Sequence, residues 1–342
     1  MKRRLLALLA ICWLPVSGLC YGPRGHGLVG AVADLRLAKN KKASEKVTKL
    51  LDGITLAQAA TLADSIKGWD DCGRPAGQYS VTGGARINAE LRAFVKANSC
   101  DSPYDHHQFH YTDVPLAGNE KYESGKIGRS DLDIVHMIAF CIRVLADREP
   151  QPNPRAITKT VAVILLAHYL GDIHQPLHVG AEYFDDDGKP VEPTATNKYH
   201  GDQGGNKLRL FVYVDGKPKA MEAFHGYWDT KVVEAAFGQM ADQDIAAELA
   251  KNEPKDWKLK GNPESLAQQM ANEILPIARK AHQRLEYSKV RIEGNGDINT
   301  GRAAERKMPD GKSYADWSQA IVKTEIQKAG WRLAAILEAV LK

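Results

Sequence analysis

Val161-Ala-Val-Ile-Leu-Leu-Ala167-His168-Tyr-Leu-Gly-Asp172-Ile-His174-Gln-Pro176-Leu-His178 is the stretch on which the fold turns. The unbroken apolar run from Val161 to Ala167 leaves no polar face, so a helix here is buried all round. Asn153-Pro154 offers it an N-cap and a first-turn proline, and Pro176 ends it. His168 and Asp172 are four residues apart and project from one side of that helix. An imidazole and a carboxylate in such a place cost several kcal/mol unless they find partners. A divalent cation satisfies both, and His178 lies beyond Pro176, where the chain can turn it back.

Working outward, the 3.6-residue period gives more helices on either side. Thr55 and Gln58 form a capping box ahead of the stripe Leu56, Ala59, Ala60, Ala63, Ile66. Ser130 and Asp133 open another helix, running to about Asp147. Further helices are expected near 26–38, 86–97, 221–250, 264–287 and 314–341. Lys207 to Val214 is the one convincing strand, with Asp215-Gly216 as its hairpin turn. Loops rich in Gly and Pro occupy 73–85, 180–205 and 293–312. No repeat or linker divides the chain, so the reading is mainly α: a single domain of packed helices with a small β-hairpin.

The 342 residues have ordinary globular usage, 44% hydrophobic and 26% charged, which excludes a disordered or fibrous chain. The formal charge is +4, of which Lys2, Arg3 and Arg4 supply three; residues 1–20 hold no acid, so +1 remains without them. A chain that close to neutral is no electrostatic coater of nucleic acid. Lys2-Arg3-Arg4 followed by the apolar Leu5 to Pro15 has the blocks of a signal peptide, too short to span a bilayer. Residues 1–20 are therefore read as a signal cut after Cys20. Residues 21–342 form the mature domain, periplasmic or secreted, with no membrane anchor. Cys72 and Cys100, both in polar sequence, are placed to pair in an oxidising compartment, and Cys141 in its apolar run reads as a buried thiol.

The His-x3-Asp spacing recurs in His225-Gly-Tyr-Trp-Asp229. Asp64 borders an apolar stripe, His110 sits in the extended Gln-Phe-His-Tyr-Thr-Asp-Val-Pro, and His26 follows Tyr21 by five residues. Any one of these suits a hydrogen-bonded core residue. Together they describe a His/Asp metal centre, and the lack of cysteine ligands favours a hydrolytic site over a structural one.

These pieces, in this order over the whole mature chain, resemble the zinc-dependent S1/P1 nuclease family, which shares a fold with zinc-dependent phospholipase C. The specific motifs are His168-x3-Asp172-x-His174-Gln-Pro-Leu-His178 and Gly201-Asp-Gln-Gly-Gly-Asn206, the latter followed by a strand and His225-x3-Asp229. The resemblance implies three Zn2+ per chain. Asp64, His110, His168 and Asp172 would hold the first, and His178, His225 and Asp229 the second. Tyr21 through its free amine and carbonyl, His26 and the shared Asp172 would hold the third. The family usually starts on Trp where this chain has Tyr21, but the ligating atoms there are backbone. It further implies that Lys67 and Asn206 face the phosphate, and that Tyr111 and Asp113 form a nucleobase pocket, the ring stacking and the carboxylate accepting. His106, His107, His136, His174, His200 and His282 receive no ligand role.

The implied function is an exported zinc endonuclease, a monomer, cleaving single-stranded DNA and RNA to 5′-phosphate products, with 3′-nucleotidase activity on nucleotides as an accompanying expectation. Two other readings stand beside it: a zinc-dependent phospholipase C using the same ligands, and a non-catalytic periplasmic zinc-binding protein.

Overall fold

Thr158, rather than Asn153, caps the buried central helix: its hydroxyl accepts from the Val161 N–H at 3.2 Å and the helix runs Lys159–Asp172. Asn153 instead closes a turn by donating to the Ile157 carbonyl. Every residue from Thr160 to Asp172 is buried, as the apolar run requires. The computed structural model describes residues 21–70, 80–149, 152–214 and 217–342. The proposed signal, Cys72 and the Asp215-Gly216 turn lie outside those residues.

In chain order the helices are α1 (Gly22–Leu37), α2 (Lys41–Leu50), α3 (Leu56–Ala59), α4 (Leu62–Ser65), α5 (Ala85–Ala97), α6 (Ile134–Leu145) and the central α7 (Lys159–Asp172). Then come α8 (Phe224–Gly226), running through a π-helical turn Tyr227–Val232 into α9 (Val233–Phe237), and α10 (Asp242–Lys251), α11 (Leu266–Gln283) and α12 (Tyr314–Val340). The mainly α expectation holds. α1 lies against α12, α10, α3 and α7, while α7 also packs on α6. Among the described residues no helix is long and apolar enough to cross a membrane.

Local differences from the sequence reading have physical causes. The capping box of Thr55 and Gln58 is present, and Asp34 of α1 adds a second cap by accepting from Leu56 and Ala57 N–H. The expected single helix breaks into α3 and α4 at Ala60–Thr61, where the Ala60 carbonyl receives His168 Nδ1–H at 2.7 Å. Asp133, not Ser130, caps α6, accepting from His136 N–H. The segment expected to be one helix over 221–250 begins as strand and is interrupted by the π-turn and by Gly238. Leu208–Val214 does pair with Lys217–Ala223 as a hairpin, but other strands accompany it. Ile298–Asn299 and Arg291–Ile292 extend its sheet, and Arg302–Glu305 pairs with Leu285–Ser288. Val114–Pro115 pairs with Gly180–Ala181, which draws the segment after His110 beside the segment after His178. Cys141 is buried and free.

Candidate metal centre

α7 delivers His168 and Asp172, and the 3₁₀ turn Pro176–His178 that follows brings His178 back toward them, as its position beyond Pro176 suggested. α1 brings His26 across. That approach needs a glycine on α7, because a Cβ at Gly171 would fall 2.6 Å from His26 Nδ1. The His26 and His168 rings stack at 3.8 Å with 13° between planes. α4 supplies Asp64, the 3₁₀ turn His106–His110 supplies His110, and α8 with the π-turn supplies His225 and Asp229. All of these except Asp64 are buried to at least 95%, and the Asp64 carboxylate itself is only 8% exposed.

The imidazoles are aimed by backbone carbonyls. His168 Nδ1 donates to Ala60, His178 Nδ1 to His110 and His225 Nδ1 to Gly204, each at 2.7 Å. With Nδ1 donating outward, each ring turns its Nε2 inward. The His178 and His225 Nε2 atoms face each other at 3.0 Å, and Asp229 Oδ2, which has no hydrogen-bond partner, stands 3.2 Å from the latter. Two ring nitrogens and a carboxylate oxygen converge there. Burial, then the neighbouring His178, pushes the His225 pKa down to about 3, and burial holds the Asp229 carboxyl well above its ordinary value, so without a cation the charged forms of both are disfavoured.

The second group has the same character. His168 Nε2 lies 3.1 Å from His110 Nδ1, 3.2 Å from Asp172 Oδ2 and 3.5 Å from Asp64 Oδ1. Asp172 turns Oδ1 the other way, 3.3 Å from His26 Nε2 and 4.0 Å from His178 Nδ1. Burial opposes its charge, but His168, His178 and His110 outweigh burial and hold the carboxyl well below the usual range. Both ring nitrogens of His26 and Asp172 Oδ1 lack hydrogen-bond partners. Ligands bound at about 2.0–2.1 Å around a tetrahedral zinc stand about 3.3–3.4 Å from one another, close to the spacings found here. The residues present therefore fit a zinc cluster.

Tyr21 enters between the groups. Its N–H donates to Asp229 Oδ1 (3.1 Å), its carbonyl accepts from Gly25 N–H (3.0 Å), and its hydroxyl donates to the His174 carbonyl (2.8 Å). The nitrogen expected beside His26 and Asp172 is thus engaged by Asp229, whose Oδ1 also accepts from Gln175 Nε2 at 2.7 Å. His174 is not a ligand candidate: Nδ1 donates to Leu170 and Nε2 accepts from the buried Arg332.

Around this core, Lys67 Nζ sits 2.7 Å from Asp64 Oδ1. Asn206 is exposed at the end of a turn whose Gly204 is pressed against Leu177; a Cβ there would fall 2.0 Å from its carbonyl oxygen. Tyr111 is 39% exposed, and burial pushes the Asp113 carboxyl up to about 7. Asp113 faces a cavity of about 340 Å³ with Tyr183, Tyr199, Gln203 and Lys207. Tyr183, Tyr199 and Gln203 were missed because their loop carries no periodicity and reaches the site only through tertiary pairing. His106 and His107, left without a role, meet Asp70 in a further cluster.

A family model described as S1/P1 Nuclease matches residues 21–342. Endonuclease 4 of Arabidopsis thaliana is 23% identical over 256 residues, covering 73% of this chain and 69% of that protein. Endonuclease 2 of the same plant is 25% identical over 157 residues, 43% of this chain, and the match spans about half of that relative's length (46%). Both names describe nucleases, in keeping with the histidine- and aspartate-lined centre. The chain belongs to the S1/P1 nuclease family.

Proposed function

We propose that this nuclease is an exported three-zinc enzyme that cleaves single-stranded DNA and RNA to 5′-phosphate products and removes phosphate from 3′-nucleotides. The observation that carries the reading is the convergence of imidazole nitrogens and carboxylate oxygens on either side of Asp172. Asp64, His110, His168 and Asp172 would hold one ion; His178, His225 and Asp229 a second; Tyr21, His26 and Asp172 a third. Zinc so held supplies Lewis-acid chemistry, lowering the pKa of water and neutralising charge on a phosphate and its leaving oxygen.

The chain's own groups do the rest. Asp172 ties the ligand sets together, one oxygen to each. Lys67 can turn from Asp64 to a phosphate oxygen as a point charge, and the exposed Asn206 amide can donate to another. The exposed Tyr111 ring offers a stacking face, and Asp113 reads the base edge. A recessed centre of this kind reaches a phosphate only where the base beside it is unstacked, which favours single strands. Export rests on the apolar, acid-free stretch of residues 1–20.

Incubating the zinc-loaded mature protein with end-labelled single-stranded and duplex oligonucleotides tests this. Fast single-strand cleavage to 5′-phosphate, 3′-hydroxyl fragments is expected, with phosphatidylcholine left intact. Preferential duplex cleavage, 3′-phosphate ends or lipid turnover would overturn it.

A further inference from the structure

Two short segments run past each other beside the centre. On one, Asp64, Lys67 and Asp70 recur at every third residue. The backbone turns at that spacing, with Lys67 N–H bonded to the Asp64 carbonyl (3.2 Å) and Trp69 N–H to that of Ile66 (3.0 Å). On the other, Asp105 caps the 3₁₀ turn His106–His110 by accepting from His107 N–H at 3.0 Å. His107 and His110 are three apart and so eclipse on one side of that turn. The pairing is antiparallel. Asp64 meets His110 at one end, His107 Nε2 donates to the Lys67 carbonyl midway (2.9 Å), and Asp70 meets His106 and His107 at the other.

The far end has the chemistry of a ligand set. Asp70 and His106 are 6% and 1% exposed, and Asp70 Oδ1 and His106 Nε2 have no hydrogen-bond partner. His106 Nε2 lies 3.2 Å from Asp70 Oδ2, and His107 Nε2 lies 3.5 Å from Asp70 Oδ1. These again bracket the tetrahedral edge of about 3.3–3.4 Å set by zinc–nitrogen bonds. The Lys67 carbonyl oxygen, 2.9 Å from His107 Nε2, is placed as a fourth ligand. Cys100 N–H fixes the carboxylate by donating to Oδ2 at 3.3 Å. Two imidazoles and one carboxylate suit zinc rather than the all-oxygen tastes of calcium or magnesium.

We infer that Asp70, His106 and His107 form a further zinc site, separate from the ligands assigned above. When His107 Nε2 takes the ion, its proton moves to Nδ1, which faces Asp105 Oδ1 at 3.7 Å. The His107 bond to the Lys67 carbonyl is then given up, so filling this site bears on the residue whose ammonium pairs with Asp64.

The test is zinc counting on the full mature chain, demetallated and reloaded with zinc alone, for wild type, His107→Gln, Asp70→Asn and His178→Gln. His107→Gln and Asp70→Asn should each hold one zinc fewer than wild type, with unchanged circular dichroism. Wild-type counts in both would overturn the site. Because the reading is a difference, it does not depend on the absolute number, which with His178→Gln tests the main centre by itself. Should the variants fold poorly, wild-type crystals at the zinc edge decide. An anomalous peak within about 2.3 Å of His106 Nε2 supports the site, and no peak there refutes it.

Discussion

Asp172 points Oδ2 at His110 and His168 and Oδ1 at His26, whereas Asp229 serves one histidine pair and gives its other oxygen to Tyr21 and Gln175. Asp172→Asn should therefore release more zinc than Asp229→Asn, as metal analysis after gel filtration would show; equal losses would deny the shared role. Asp113 invites a pH experiment. Its carboxyl is raised to about 7 by burial, and Tyr111, Tyr183 and Asp202 are the titratable groups that feel its charge. Between about pH 4 and 7 the folded protein holds this proton and the unfolded chain does not. That contribution to stability is thus full at low pH, declines through the window and is gone above pH 7. Asp113→Asn should gain about 2–5 °C in Tm over wild type at pH 8, with the gap closing by pH 5. A gap that is constant with pH would place the Asp113 titration elsewhere.

At the scale of elements, α7 was legible because its apolar run and its His-x3-Asp spacing obey one helical period. The same logic placed His225 and Asp229 correctly as partners, although their turn is π-helical, since four-residue spacing keeps both on one side. What sequence periodicity could not show was tertiary. The break between α3 and α4 sits where a carbonyl serves a histidine 108 residues away. Tyr183 and Tyr199 join Asp113 only because Val114–Pro115 pairs with Gly180–Ala181. Asp70 lies on a different segment from the adjacent His106 and His107, so no helical period links the three. α7 and α1 meet through Gly171, so Gly171→Ala should push His26 off its stack. We expect a loss of about 1–3 kcal/mol in chemical denaturation and a depleted His26 metal position. A variant with wild-type stability and zinc content would mean that this contact relaxes freely.

For the whole molecule, net charge is a poor guide to where charge matters. Beyond residue 20 the chain is almost neutral, yet its interior collects imidazoles and carboxylates within ligand distance of one another. Removing the ions should leave those donors crowded and buried, so EDTA is expected to lower Tm by roughly 10 °C or more, reversibly on zinc addition. A Tm indifferent to EDTA would show that the centre contributes little to folding.

The carbonyl tethers on His168, His178 and His225 have one more consequence. They belong to the polypeptide alone, so the receptor is shaped before its guests arrive. Loading is then a matter of filling a rigid mould, and apo and holo backbones should superpose closely. Uptake would be governed by how ions enter, and exchange would be slow because buried donors held in place cannot swing away to release an ion.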